Sequence, residues 1–108
     1  MLANNQMSPE SQPNPYLVQK IMTASPEELI SYIYEAAIRG CVQKNQGKAL
    51  EAVQQLINAL NFDAGDVSAN FYKVYTVIQN HIYNHDFNAA REILIDLRKT
   101  WSKAMNIR

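Results

Sequence analysis

The pattern of apolar residues constrains this chain more than any other feature. From residue 29 to residue 105 they recur with a period near 3.6, and no stretch alternates as a β-strand does. The pattern is interrupted at residues 45–47, 63–66 and 84–86, where residues typical of turns collect. Helical segments joined by such short connections pack as antiparallel neighbours. The sequence therefore predicts an all-α fold, an antiparallel up-down four-helix bundle that occupies residues 15–108 as one domain.

Each of the four segments carries its apolar residues on one side of a helix. A chain of 108 residues buries only about two thirds of its unfolded surface, so most of these positions must serve a single core. No repeat of about 20 to 50 residues is visible, which argues against a solenoid. The predicted core positions, in chain order, are Leu29, Ile30, Ile33, Tyr34, Ala37, Ile38, Cys41, Val42, Ala49, Leu50, Val53, Leu56, Ile57, Leu60, Phe71, Val74, Tyr75, Ile78, Ile82, Ala90, Ile93, Leu94, Leu97, Trp101, Ala104 and Met105. Tyr34, Tyr75 and Trp101 fit either the core or a partner contact.

The first long segment begins with a specific capping pattern. Ser25 is a candidate N-cap, and Pro26 suits the first helical position, where no backbone N–H is needed. Glu28 can bond back to the backbone of Ser25 and complete a capping box. The later segments have simpler candidates, which are Asp66 or Ser68 for the third and Asp86 or Asn88 for the fourth.

The first part of the chain differs from the rest. Residues 1–14 are rich in Asn, Gln, Ser and Pro, and they are expected to be a disordered tail because they offer too little apolar surface to offset the cost of ordering. Residues 15–22 then supply a short extra helical segment with apolar side chains. This segment is too short to be stable by itself and must pack on another surface.

The charge balance argues against nucleic acid and anionic membranes as partners. Ten Lys and Arg residues balance ten Asp and Glu residues, whereas proteins that hold nucleic acid usually carry a basic excess. No apolar stretch reaches the roughly 20 residues of a membrane span, and no signal-peptide pattern is visible. The expected location is the cytoplasm, without membrane insertion.

No arrangement of residues predicts catalysis, a metal centre or a cofactor. Gly40 and Gly47-Lys48 have the wrong spacing for a phosphate-binding loop, and Ala49 stands where that loop needs a hydroxyl group. Cys41 lies on the apolar side of its segment and is expected to be a small core residue. The sequence therefore predicts a non-enzymatic protein.

A metal-binding regulatory bundle is the alternative from a different class. His81 and His85 are four residues apart, a spacing that places two possible zinc or nickel ligands on one side of a helix. Only Asp86 offers a third ligand nearby. The simpler interpretation is a favourable interaction between these histidines and the end of the third helical segment.

Some apolar residues lie outside the stripes that a simple core needs. Two tyrosines of the third segment are eleven positions apart and share a side about 100° from the main stripe. One isoleucine of the fourth segment stands among polar residues, and small residues of the second segment could form a shallow groove for another helix. Together they predict a partner-binding surface. Its candidate residues on these segments are Ala52, Leu56, Ala59, Tyr72, Tyr83 and Ile95.

Short motifs are spread along nearly the whole chain. They are Asn14-Pro15-Tyr16, Thr23-Ala24-Ser25-Pro26 with Leu29, Ile33-Tyr34, Ala69-Asn70-Phe71 with Val74-Tyr75, and Leu97-Arg98 with Trp101. In this order and spacing they resemble the flagellar export chaperone family FliS over residues 14–105. The sequence departs from the family at Gln79-Asn80-His81, where the family often has an aromatic residue followed by two arginines.

The resemblance implies a helical bundle that binds the C-terminal segment of flagellin in the cytosol. It also implies that the bundle prevents premature polymerisation and assists delivery to the flagellar type III export apparatus. Before assembly the client segment is expected to be disordered, and a helix-accepting groove could cover it. The departure at residues 79–81 leaves open a related bundle that binds another protein helix.

Residues 15–22 are assigned to the same binding surface. The segment cannot be stable alone and is tethered beside spare apolar area, so we expect it to occupy part of the groove when no client is bound. Its candidate contact residues are Pro15, Tyr16, Leu17 and Ile21.

Overall fold

The part of the chain that the structure describes is built from helices joined by short connections. The computed structural model describes residues 14–61, 63 and 65–106, which form five helices and no strand. The helices are α1 (Pro15–Met22), α2 (Pro26–Val42), α3 (Gln46–Asn58), α4 (Asp66–Tyr83) and α5 (Phe87–Met105). None of these five combines the length and the apolar character that crossing a membrane requires. The prediction of an all-α fold is confirmed.

The predicted capping box is present at the start of α2. The backbone N–H of Glu28 donates to Oγ of Ser25 at 3.2 Å, and the backbone N–H of Ser25 donates to Oε1 of Glu28 at 2.9 Å. Pro26 is the first helical residue. These bonds satisfy donors at the helix start that have no partner within the helix.

The short helix α1 also has a side-chain cap. Oδ1 of Asn14 accepts hydrogen bonds from the backbone N–H groups of Tyr16 and Leu17. Asn14 therefore belongs to the helix start, although the sequence analysis placed it at the end of the tail. The remainder of the expected disordered tail, residues 1–13, lies outside the described residues.

The starts of α4 and α5 differ. Asp86 caps α5 as predicted, since its Oδ1 accepts from the backbone N–H of Ala89 at 3.4 Å. The N-cap of α4 is Gly65, with a φ of 70°, and no side chain caps this helix. The prediction of Asp66 or Ser68 was wrong because glycine adopts this left-handed backbone at little cost. The Ser68 hydroxyl donates instead to the carbonyl oxygen of Asn61.

Four of the helices surround one core. Helix α2 packs against α3 and α5, and α4 packs against the same two helices but less extensively. Helix α1 packs extensively against none of them. The buried apolar residues come from α2 to α5 and are Tyr34, Ala37, Cys41, Ala49, Ala52, Val53, Leu56, Tyr75, Ile78, Ile82, Phe87, Ala90 and Leu94.

A glycine sets the distance between α2 and α3. A Cβ atom at Gly40 would lie 2.8 Å from the backbone nitrogen of Ala49 and 2.9 Å from its Cα. Real Cβ atoms do not approach backbone so closely, so only glycine permits this contact. The sequence analysis considered Gly40 only as part of a phosphate loop, and its packing role was missed.

The turn between α2 and α3 recurs between α4 and α5. The backbone N–H of Asn45 donates to Gly40 O and that of Asp86 to His81 O, each at 2.8 Å. The residues before them, Lys44 and His85, have positive φ angles of 54° and 59°.

Each residue of the first turn lies 41 residues before its equivalent in the second turn. The same spacing separates Tyr34 from Tyr75, whose hydroxyl groups contact each other. The repeat is not visible in the sequence because most of the matched residues differ in type. Buried pairs with this offset are Tyr34 and Tyr75, Ala37 and Ile78, Cys41 and Ile82, Ala49 and Ala90, and Val53 and Leu94.

Candidate partner-binding groove

An apolar cavity of about 200 Å³ lies where α2 and α4 begin and α3 and α5 end. We call it the end cavity. Large apolar side chains form most of its wall, and several of them are only half-buried. Its lining residues are Ile30, Leu56, Ala59, Leu60, Asn61, Val67, Ser68, Phe71, Tyr75 and Trp101.

A second apolar cavity of about 280 Å³, the side cavity, lies between α4 and α5. It shares Val67 and Phe71 with the end cavity, so the two adjoin along the first half of α4. Its other lining residues are Asn70, Val74 and Leu97. The two cavities together are the apolar groove. Val67 is 61% exposed although it borders both cavities, which makes the groove accessible from outside.

A hydrogen bond fixes one wall of the groove. Nε1 of Trp101 donates to the carbonyl oxygen of Glu27 at 3.0 Å. This bond ties the end of α5 to the start of α2 and satisfies the polar group of the indole ring. The bond thereby holds the Trp101 side chain in the wall of the end cavity.

Two tyrosine hydroxyls meet beside the end cavity. The Oη atoms of Tyr34 and Tyr75 are 2.7 Å apart, and either can be the donor. Their residues are 1% and 4% exposed. Burial, and then the bond to Tyr75, raise the pKa of Tyr34 far above its ordinary value, and burial also raises the pKa of Tyr75. Both groups are therefore neutral at physiological pH and serve as hydrogen-bonding groups.

Comparisons with known proteins find nothing similar. No family model, no curated protein and no solved structure matches this chain. A functional proposal therefore rests on the groove and on the sequence motifs quoted above.

The structure places the predicted residues of α3 at different depths. Ala59 and Leu56 line the end cavity, but Leu56 is only 2% exposed and belongs mainly to the core. Ala52 is also buried, and it borders a separate shallow pocket with charged neighbours such as Arg39 and Glu51. Ala52 and Leu56 are therefore buried where α2 approaches α3 closely at Gly40, whereas Ala59 is exposed at the end of α3.

Three other predicted residues lie outside the apolar groove. Tyr72 and Tyr83 are exposed on α4, and neither lines the end cavity or the side cavity. Ile95 is half-buried on α5 and lines neither of them. The structure does not bring these three residues together with Leu56 and Ala59.

Helix α1 is exposed along its whole length. Pro15, Tyr16, Leu17 and Ile21 all face solvent, and none of them lines the end cavity or the side cavity. Lys20 approaches the ring of Tyr32 on α2, with Nζ 5.5 Å from the ring centre. Contrary to expectation, the structure does not place this segment in the groove.

Several groove residues were predicted as core positions, and Trp101 was predicted as either core or contact. Phe71, Val74, Leu97 and Trp101 follow the helical apolar pattern, and the structure leaves all four half-buried beside the cavities. Val67 was not predicted at all. Its signal was an apolar residue in the first turn of α4, one turn before Phe71.

The geometry does not support the proposed histidine pair. Helix α4 ends at Tyr83, so His85 lies in the following turn with a left-handed backbone rather than one helical turn after His81. Nδ1 of His81 is 3.5 Å from Oδ2 of Asp86. Across residues 14–61, 63 and 65–106, no three His, Cys, Asp or Glu residues are grouped as metal ligands would be.

Proposed function

We propose that this protein is a cytoplasmic flagellar export chaperone that binds the C-terminal segment of flagellin as an amphipathic helix in the apolar groove. One observation carries the proposal: the motifs that resemble the chaperone family supply much of the groove. Six motif residues line the two cavities, namely Asn70, Phe71, Val74, Tyr75, Leu97 and Trp101.

We further propose that α2 to α5 form an antiparallel up-down four-helix bundle. Two features support this arrangement. The packed helix pairs make a closed ring in the order α2, α3, α4, α5, and the end cavity combines two helix starts with two helix ends. Short connections favour the same topology.

The shape of the groove suits an amphipathic helix. Val67, Phe71 and Val74 are spaced by four and three residues, so they form one ridge along α4. The side cavity lies between this ridge and Leu97 of α5. A client helix can place apolar side chains, spaced one turn apart, into the side cavity and the end cavity.

Chaperone action follows from covering the client. A disordered segment that becomes helical only in the assembled filament exposes apolar residues, which associate prematurely unless another surface covers them. Ordering the segment in the groove costs free energy, so the complex is expected to bind with moderate affinity. Moderate affinity allows release of flagellin to the export apparatus.

The direct test is calorimetric titration of the protein with the C-terminal segment of flagellin from the same organism. Saturable one-to-one binding with a negative heat-capacity change is expected, and a scrambled segment should not bind. Absence of binding up to about 100 μM would reject flagellin as the client. Binding of an unrelated amphipathic helix in that case would favour the alternative, a related bundle with another protein partner.

Two valines of α4 provide a matched pair of variants for locating the binding surface. Val67 lines both cavities and is 61% exposed, whereas Val77 lines neither of them and is 47% exposed. Val67→Asp should weaken client binding about tenfold or more, because it places a charge where an apolar contact forms. Val77→Asp should leave the affinity within about twofold of the wild type. If the two variants had equal effects on the affinity, the client would bind somewhere other than the apolar groove.

A further inference from the structure

The first half of α4 stands beside the apolar groove, in a helix that packs less extensively than α2. Helix α4 packs against α3 and α5 less extensively than α2 does, and its first turn has no side-chain cap. Both cavities border this half through Val67 and Phe71. A side chain beside a cavity lacks contacts on that side, so moving it away from the core costs less than moving a fully packed side chain.

The second half of α4 is tied to α3 by side-chain hydrogen bonds. Nε2 of Gln46 donates to the carbonyl oxygens of Ile82 and Tyr83 at 3.2 and 3.3 Å. Nε2 of Gln79 donates to Oε1 of Gln54 at 3.2 Å. The first half also has a link, since the Ser68 hydroxyl donates to the carbonyl oxygen of Asn61 in the segment after α3. Helix α4 therefore has one half anchored directly to α3 and one half that stands beside the groove.

Tyr75 lies between these halves and links α4 to α2. Its hydroxyl group is 2.7 Å from that of Tyr34, although α2 and α4 do not pack extensively against each other. The link thus crosses the core between helices that otherwise meet through α3 and α5. Because Tyr75 also lines the end cavity, the link is located where the groove meets the core.

We propose that the Tyr34–Tyr75 hydrogen bond is a latch that holds the first half of α4 against the core in a closed state, and that the end cavity widens to admit a client helix when this half moves away from α2. The client's identity rests on the proposed function, whereas the latch does not. In the closed state each hydroxyl is buried and depends on the other for its partner. In the open state each hydroxyl forms a hydrogen bond with water instead. The net free energy of the tyrosine bond is therefore small, so the closed state is favoured but can still open.

A latch made of two hydroxyls predicts an effect that is not additive. Removing one hydroxyl, by Tyr34→Phe or Tyr75→Phe, leaves the other buried and unpaired in the closed state, which favours opening. Removing both leaves no unpaired group, and two phenylalanine rings of nearly the same shape restore the closed state. The double variant should therefore resemble the wild type more than either single variant does.

Hydrogen exchange of the full chain without a client tests the latch. In each single variant we expect backbone amides of residues 67–75 to exchange about tenfold faster, with residues 46–58 and 87–101 changing by less than about twofold. The double variant should return residues 67–75 to within about threefold of the wild-type rate. Equal acceleration in all helices, no acceleration, or faster exchange in the double variant than in the singles would overturn the latch.

Client binding tests the entry route separately. If opening precedes entry, the single variants should bind the flagellin segment several-fold more tightly, since a larger fraction of the protein is already open. Weaker binding by the singles, together with faster exchange of residues 67–75, would overturn entry through α4. If no variant, including the wild type, binds the flagellin segment, the proposed function fails while the exchange data still decide whether the latch exists.

Discussion

The two helix pairs of this protein share a turn and matched buried positions, but they differ in how closely their helices approach. In the first pair, α2 and α3, Gly40 allows backbone contact with Ala49. In the second pair, α4 and α5, the equivalent position is His81, and the packing is less extensive. Leu56 and Leu97 are equivalent positions, since they are 41 residues apart. Leu56 in the first pair is buried, whereas Leu97 in the second pair is half-buried beside the side cavity. The comparison indicates that helix spacing decides which apolar residues form core and which form a groove.

The largest expected effect comes from truncating these two equivalent leucines. Leu56→Ala should destabilise the protein by about 3 to 4 kcal/mol, because it leaves a cavity in a closed part of the core. Leu97→Ala should cost about 1 to 2 kcal/mol, since its side chain already borders a cavity. Chemical denaturation of both variants measures the difference, and similar losses would show that the two pairs are packed alike.

The second prediction concerns the tyrosines that join the two pairs. Their pKa values are raised in the folded protein and return to about 10 on unfolding, so the unfolded state releases protons first as pH rises. The stability due to the neutral pair is complete below about pH 10 and is lost progressively as pH rises above it, by up to about 1.4 kcal/mol per pH unit for Tyr34. The Tyr34→Phe, Tyr75→Phe double variant is the control, and its free energy of unfolding should fall less over this interval.

The third prediction tests the glycine contact directly. Gly40→Ala should destabilise the protein by about 2 kcal/mol, because its Cβ would meet the Ala49 backbone. Gly47→Ala is the matched control in α3, where a Cβ meets only a side-chain atom at 3.8 Å. That change should stabilise the helix by about 0.5 kcal/mol. Thermal unfolding of both variants should therefore give shifts of opposite sign.

The smallest effect is expected at the bond that joins α3 to the end of α4. Gln46→Ala removes the donor to the Ile82 and Tyr83 carbonyl groups and should cost about 1 kcal/mol. Local hydrogen exchange should accelerate in the last turn of α4, where the anchor is lost. Replacement of the exposed Gln55 by alanine controls for the change in side chain. Acceleration confined to the first half of α4 would contradict the assignment of the anchored half.

Much of the local structure could be predicted from the sequence, because local bonds determine it. The capping box at Ser25 and the cap at Asp86 depend on residues within one helical turn, and both predictions were correct. The burial of Cys41 followed from its place in the helical stripe. Gly65 was missed as a cap because a side-chain cap was expected, whereas the structure uses the backbone freedom of glycine.

The groove was harder to predict because exposure depends on the neighbouring helix. Leu56 and Leu97 belong to equally regular apolar stripes. Neither stripe predicts the distance between its helix and the facing helix. Gly40 sets that distance in the first pair, whereas His81 stands at the equivalent position of the second pair. Ala52 was assigned to a groove and is buried for the same reason. The repeat between the pairs was hidden because it preserves backbone geometry and burial rather than residue type.

The position of Cys41 has a practical consequence for labelling. It is the chain's single cysteine, it is buried, and burial raises the pKa of its thiol. A thiol-reactive dye added to the folded protein should therefore react with a cysteine introduced on the surface and leave Cys41 unmodified. A fluorophore on an Asp66→Cys variant, at the start of α4 but outside the lining of both cavities, would report occupancy of the groove in real time without removal of the native cysteine.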